Sequence, residues 1–132
     1  MANVHPWFSG TSIQDAARWT FNYFNETNVY VASVYAATAL ANKPQMYIGE
    51  TGWPTSSLIT EEKTKASEPY LQIFIDRFVC TANSQGVKYF LHEFTDIPWK
   101  QLVLYAGTDG FGGLFNSNKT LKALTLPDCS HD

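Results

Sequence analysis

The sequence of 132 residues lacks the features of a membrane-spanning or nucleic-acid-binding protein. Its longest apolar candidate, residues 29–41, is shorter than the about 20 residues of a membrane span, and serine, threonine and tyrosine interrupt it. The net charge of −3 includes no basic run, which argues against nucleic acid and anionic membrane surfaces as partners. The residues after Met1 show neither the basic nor the apolar region of a secretory signal peptide.

Signals for metal, nucleotide or serine-nucleophile chemistry are also scarce. The three histidines lack ligand spacing, and the two cysteines lie far apart in the sequence. The segment Gly110-Phe111-Gly112-Gly113 has neither the lysine nor the strand-to-helix context of a phosphate loop. No nucleophile elbow is present for a serine triad. We therefore expect neither a metal nor another cofactor.

The composition can supply the core of one domain, because 45% of the residues are hydrophobic and 15% are aromatic. Cys80 and Cys129 make an even pair whose disulfide would add about 4 kcal/mol of stability in the chain-entropy picture. The alternative is two buried free thiols. Asn25 and Asn118 each begin an N-glycosylation sequon, although such triplets often arise by chance. These features favour a secreted protein.

Three strand-then-helix passages follow one another along the chain. The periodicity predicts strands over 2–7, 45–49 and 87–91, helices over 13–24, from Ser67 to about Ser84 and over 120–124, and an ambiguous segment over 29–40. The helix from Ser67 is the best defined, because proline lies in its first turn and an apolar stripe follows. The alternation of strands and helices predicts a parallel sheet with right-handed crossovers.

The decapeptide over residues 46–55 contains the strongest candidate for chemistry. An apolar strand delivers Glu50 and then stops at a Gly-Trp-Pro turn. Parallel-barrel enzymes place their reacting groups at the carboxyl ends of strands, so this carboxylate and Trp53 together suggest carbohydrate chemistry. The alternative is a solvated glutamate at a strand end, with Trp53 as part of the core.

Three segments in order resemble glycoside hydrolase family 17, the (1,3)-β-glucan hydrolases and transglycosylases. They are the decapeptide with Glu-Thr-Gly-Trp-Pro-Thr, residues 2–8 with Asn-Val-His-Pro before an aromatic pair, and residues 89–100, which are similar to a fungal segment reading Phe-Glu-Ala-Phe-Asp before Pro-Trp-Lys. The resemblance covers nearly the whole chain. The departures from the usual third segment are Leu91, His92, Phe94, Thr95 and Ile97.

The resemblance implies an α/β fold that comprises the last three βα units, strands six to eight, of a TIM (β/α)8 barrel. Retaining glycosidases use two carboxyl groups about 5–5.5 Å apart, and Glu50 matches the nucleophile of the family. The family's acid/base glutamate follows the fourth strand, a segment without a counterpart here. We therefore interpret residues 1–132 as part of the catalytic domain, with Met1 corresponding to an internal methionine of fungal members.

The resemblance also implies a set of glucan-binding residues: His5, Trp7, Trp53, Glu93, Asp96 and Lys100. Each has a structural alternative. His5 beside proline would be part of the framework, Trp53 would pack beneath Glu50, and Asp96 with Lys100 would form a surface ion pair worth under about 1 kcal/mol. Glu93 is expected to contact the substrate or to act electrostatically, rather than to serve as the general acid.

The predicted activity is hydrolysis of (1,3)-β-glucan with retention, in the remodelling of a fungal cell wall. Glucan transfer by the full-length parent and a catalytically inactive glucan-binding remnant are the alternatives. The family implies a secreted or cell-wall location and a polysaccharide partner. A partial barrel would leave two sheet edges and an apolar face exposed, which would favour homodimers or aggregation.

Overall fold

The computed structural model describes residues 1–36, 44–58, 64–102 and 105–130. In chain order its elements are β1 (Ala2–Asn3), α1 (Ala16–Ala36), β2 (Ile48–Thr51), α2 (Glu68–Ser84), β3 (Tyr89–Leu91) and two 3-10 helices, Lys100–Leu102 and Tyr105–Phe111. The strands form one parallel sheet in the order β1-β2-β3. The predicted alternation of strands and helices around a parallel sheet is therefore confirmed.

The register of the sheet brings the carboxyl ends of the three strands to one edge. Asn3 is paired with Glu50, and Thr51 is paired with Leu91. Beyond these pairs, the Val4 amide donates to the Glu50 carbonyl at 2.8 Å, and the His92 amide donates to the Thr51 carbonyl at 2.7 Å. The residues that follow β1, β2 and β3 consequently meet at this edge.

Helix α1 begins later and continues much further than the predicted 13–24. Its first half buries an apolar stripe that includes Phe21 and Phe24, whereas most of its second half is exposed. The ambiguous segment over 29–40 is helical as far as Ala36, and its remaining positions lie outside the described residues. Extending an existing helix costs far less than starting one, so the valines and tyrosines of this segment remain helical.

Helix α2 confirms the predicted helix and supplies most of the core. The Ser67 side chain caps it by accepting from the Tyr70 amide at 3.3 Å. Phe78 is fully buried and stacks on both Phe74 and Phe21 at ring-centroid distances of 5.1 Å. Its edge also meets Tyr89 on β3 at 5.0 Å. This aromatic cluster joins both helices to the sheet.

The predicted terminal helix over 120–124 is wrong. Phe115 instead forms isolated bridges with Thr95 and with Leu121. Between them, the Asn118 side chain accepts from the backbone amide and the hydroxyl of Thr120. Short polar side chains compete with helical hydrogen bonds in this way, so the segment forms a turn.

Strands β1 and β3 are the edges of the sheet within the described part of the chain, since each pairs with β2 alone. Phe90 on β3 is exposed. Across the same described residues, no helix has the combination of length and apolar character needed to cross a bilayer.

Candidate active site

Glu50 lies at the carboxyl end of the central strand, where its side chain meets two histidines. The side chain is 40% exposed, so the carboxylate remains accessible. Its Oε2 atom lies 3.2 Å from Nε2 of His5 and 3.9 Å from Nδ1 of His92. Both contacts fall on the same oxygen. This arrangement fixes the orientation of the carboxylate and leaves Oε1 free of both histidine contacts.

His5 follows β1 and holds Glu50 from one side. Burial lowers the pKa of the His5 imidazole, and the hydrogen bond to Glu50 only partly opposes this effect. The nearby His92 lowers the same pKa further. We therefore assign His5 as a neutral ring that carries its proton on Nε2 and donates to Glu50.

Glu93 lies just beyond β3 and is the second carboxylate of the site. Its side chain is 15% exposed, and burial raises the pKa of its carboxyl group. His92 and Lys100 lower that pKa and Asp109 raises it, but burial has the largest effect. The Oε1 atom is buried without a hydrogen-bond partner among the described residues. A carboxyl group in such surroundings holds a proton more readily than an exposed one.

Lys100 connects Glu93 to a carboxylate that the sequence analysis missed. Its Nζ lies 3.7 Å from Oε1 of Glu93 and 3.5 Å from Oδ2 of Asp109. Asp109 belongs to the second 3-10 helix, within the glycine-rich loop. The only signal in the sequence was a lone carboxylate between glycines, which does not indicate where the loop returns.

The two tryptophans predicted as sugar platforms line the cleft beside Phe8, but both rings are buried. Trp53 is 1% exposed, and its indole N–H donates to the Lys65 carbonyl at 3.0 Å. Trp7 is also buried and donates to the Thr64 carbonyl at 2.7 Å. Because the two indole N–H groups need partners inside the protein, the rings are fixed in the core. The alternative, in which Trp53 packs within the framework, fits this structure.

Phe8 is a solvent-facing ring that contacts His5, the hydrogen-bond partner of Glu50. It is 45% exposed and packs edge-on against Trp7 at 5.1 Å and against His5 at 5.7 Å. It lines a cleft together with Gly52, Pro54 and Asp109 among others. The cleft measures ≈ 30 Å³, enough for water but not for a glucosyl ring.

Asp96 is separated from the other predicted site residues by its own buried ion pair. Its Oδ1 accepts from Nζ of Lys122 at 2.7 Å, and the two side chains are 8% and 1% exposed. The Gly113 amide donates to the same oxygen at 3.0 Å. Neither the predicted glucan contact nor a surface pair with Lys100 fits this burial. Asp96 instead fastens the chain behind the site.

Four further predicted residues lie away from the cleft. Cys80 and Cys129 are joined by a disulfide with Cα atoms 5.2 Å apart, which links α2 to the carboxyl-terminal segment. Asn25 lies at an exposed position on helix α1, and Asn118 lies in the turn described above. None of the four lies at the cleft, so the cysteines bear on stability and the two asparagines remain predicted sites of modification.

Comparisons with known proteins identify the family of this chain. The sequence model of the BtgE/BtgC glycoside hydrolase domain matches residues 1–115. The chain belongs to this glycoside hydrolase family. It is 34% identical over 143 aligned residues to the probable glucan endo-1,3-beta-glucosidase btgC of Aspergillus fumigatus. It is 30% identical over 143 residues to the glucan endo-1,3-beta-glucosidase btgC of Emericella nidulans.

The btgC relatives are much longer proteins. The alignments cover 98% of this chain but 20% of the Aspergillus fumigatus protein and 21% of the Emericella nidulans protein. The chain thus spans about a fifth of the length of the curated relatives it matches. The resemblance to glycoside hydrolase family 17 is confirmed for this portion.

Solved structures share the fold. A glycoside hydrolase family 17 beta-1,3-glucanosyltransferase from Rhizomucor miehei superimposes with a TM-score of 0.72 at 17% identity, covering 96% of this chain and 42% of the other. An active-site mutant of the Rhizomucor miehei beta-1,3-glucanosyltransferase in complex with laminaritriose gives a TM-score of 0.73 at 19% identity, with the same coverage. An endo-laminarinase from Formosa gives 0.57 at 26% identity, covering 87% and 30%.

Proposed function

We propose that this member of the BtgE/BtgC glycoside hydrolase family processes (1,3)-β-glucan with retention of configuration and that Glu50 is its nucleophile. The observation that carries the proposal is the carboxylate at the end of the central strand, held through Oε2 by His5 at 3.2 Å while it stays accessible. The names of the btgC relatives and of the Rhizomucor enzyme support glucan as the substrate.

The chemistry follows from the geometry of Glu50. Its Oε1 would form a bond to the anomeric carbon of a glucosyl unit, while the bond from that carbon to the leaving oxygen breaks. The leaving oxygen takes the electron pair and receives a proton from the acid. Water or a second glucan then releases the sugar from Glu50, so the acceptor decides between hydrolysis and transfer.

Glu93, Lys100 and Asp109 form the charged wall of the site. The proposed role of Glu93 is electrostatic, since its buried carboxyl faces Lys100 rather than the open cleft. We assign the general acid to an earlier strand of the barrel, as the family resemblance implies. In this proposal β1, β2 and β3 are strands six to eight of an eight-stranded barrel, whose reacting groups all gather at the carboxyl edge.

The substrate also implies a location and a partner. Glucan is a polymer of the fungal wall, and its processing by this family would take place in the secreted or cell-wall compartment. The disulfide between Cys80 and Cys129 is consistent with an oxidising environment. The proposed partner is therefore an uncharged polysaccharide, and association of two copies through β1 or β3 would cover the exposed sheet edges.

Mechanism-based labelling tests the role of Glu50 directly. A 2-deoxy-2-fluoro-β-laminaribiosyl fluoride carries a leaving group that needs little help from an acid, so the nucleophile alone can react. We expect intact-mass analysis to show one adduct, located on the peptide that contains Glu50. Glu50→Gln should abolish the adduct.

The matched control is Glu26→Gln, because Glu26 lies on the exposed face of α1. This variant should be labelled at the rate of the original protein. An adduct on Glu93 in place of Glu50 would contradict the assignment. A folded chain that remains unlabelled at millimolar reagent would do the same.

A glucan-binding protein without catalysis is the second candidate. The exposed rings of Phe8, Phe94 and Trp99 favour it, because flat apolar faces suit sugar rings whether or not a bond is broken. Retention on insoluble (1,3)-β-glucan without any labelling of Glu50 would support this candidate over the first.

A further inference from the structure

His92 lies between the two carboxylates of the site and has no part in the function proposed above. Its Nδ1 is 3.9 Å from Oε2 of Glu50, and its Nε2 is 3.8 Å from Oε1 of Glu93. The side chain is mostly buried, and its ring meets His5 edge to face at 5.7 Å. Each ring nitrogen therefore faces a different carboxylate.

The chemistry of imidazole makes this placement informative. A neutral ring has one N–H donor and one lone pair, so it can satisfy only one of two ionised carboxylates. A protonated ring donates from both nitrogens and can pair with both carboxylates at once. The two distances exceed direct hydrogen bonds but lie within ion-pair range, where a small side-chain movement or one water completes the contact.

Three titratable side chains of the described residues face the His92 ring, each from a different direction. His5 approaches from the segment after β1 and Glu50 from β2, while Glu93 follows His92 in sequence. Lys100 and Asp109 form their own ion pair at 3.5 Å, and Asp109 lines the same cleft as His92 and His5. The two nearest charged groups to His92 are thus both carboxylates.

We propose that His92 is a positioning residue that couples Glu50 to Glu93, with one ring nitrogen toward each carboxylate, and that it holds Glu50 through Oε2. This inference rests on the proposed role of Glu50 as nucleophile. With Oε2 held by His92 and His5 together, Oε1 is the atom left to bond the sugar. The buried Glu93 then serves as the anchor that keeps the His92 ring in place.

The electrostatic effect of His92 can be measured through its neighbours. His92 lowers the pKa of both Glu93 and His5. His92→Phe keeps a ring in place but removes the charge, so the pKa values of Glu93 and His5 should both rise. Carbon-13 NMR of the Glu93 carboxyl and proton NMR of the His5 ring follow the two titrations separately.

Lys100→Met is the matched control for this titration. Lys100 pairs with Glu93 and Asp109, so its removal should raise the pKa of Glu93. The His5 pKa should change far less than in His92→Phe, because His92 acts on it directly, whereas Lys100 could act only through its partner Asp109. A His92 ring that only fills space would leave both pKa values unchanged in His92→Phe, and that result overturns the proposal.

Two further variants separate the contacts and guard against misfolding of the first. The amide nitrogen of His92→Asn takes the place of Nδ1 toward Glu50, whereas that of His92→Gln takes the place of Nε2 toward Glu93. We expect His92→Phe to slow labelling of Glu50 by about tenfold, the loss of one hydrogen bond to a charged group. His92→Asn should recover most of that rate and His92→Gln should not.

The two readouts fail independently. Equal labelling rates in all three variants would overturn the positioning role even if Glu50 is the nucleophile. Conversely, an original protein that shows no labelling, but in which the His92→Phe titration moves Glu93 and His5, would refute the proposed function and leave the coupling intact.

Discussion

Replacing Lys122 by methionine removes the positive charge from the buried pair behind the active site. The Lys122 ammonium donates to Asp96 at 2.7 Å and to the Thr55 hydroxyl at 2.6 Å. Thr55 lies in the turn that follows Glu50, and Asp96 lies just beyond Glu93. The pair therefore fastens together the two segments that carry the site's carboxylates.

The magnitude follows from burial. In Lys122→Met the Asp96 carboxylate would stay buried, and the Gly113 amide, at 3.0 Å, would be its remaining hydrogen-bond partner within the described part of the chain. Removing one partner of a buried pair typically costs about 3–5 kcal/mol, because the other charge is left uncompensated. We expect the free energy of unfolding to fall by that amount.

The assay is urea denaturation followed by tryptophan fluorescence, since the chain has four tryptophans and Trp53 lies near Thr55. Arg18→Met is the matched control. Arg18 and Asp15 form an ion pair at 2.6 Å whose side chains are 76% and 51% exposed, so its loss should cost under about 1 kcal/mol. The buried pair should differ clearly from this exposed one.

A double-mutant cycle sharpens the argument. Adding Asp96→Asn to Lys122→Met removes both charges, so the double variant should be more stable than Lys122→Met alone. A cost in Lys122→Met as small as that of Arg18→Met would refute the claim that the pair is buried. So would a double variant that is less stable than the single one.

Three other predictions concern the disulfide, the cleft and modification. Cys80→Ser combined with Cys129→Ser opens a loop spanning 49 residues and should lower the free energy of unfolding by about 4 kcal/mol; insensitivity of the melting temperature to dithiothreitol would contradict this. Phe8→Ala should weaken laminaritriose binding in calorimetry by about fivefold to tenfold, and unchanged affinity would remove Phe8 from the site. Expressed in yeast, the chain should carry a glycan that Asn118→Gln eliminates, because Asn118 lies in an exposed turn; an unchanged mass would show the sequon is unused.

Local patterns were sufficient for much of the fold. Helix α2 could be predicted because a serine cap, a proline in the first turn and an apolar stripe all lie within one short segment. The predicted terminal helix does not form, because the Asn118 side chain and Thr120 bond each other locally instead. The length of α1 could not be predicted because its second half is exposed and only continuity with the buried first half keeps it helical.

By itself the sequence determined the family and the position of Glu50 at a strand end, because both depend on contiguous motifs and on a period of two or 3.6 residues. Only the tertiary structure decided which groups surround that carboxylate. His5 is 45 residues away in sequence, and the partner of Asp96 proved to be Lys122 rather than Lys100. The burial of Trp53 likewise depends on the segment that covers it. Contacts between distant segments follow from packing, which no local pattern contains.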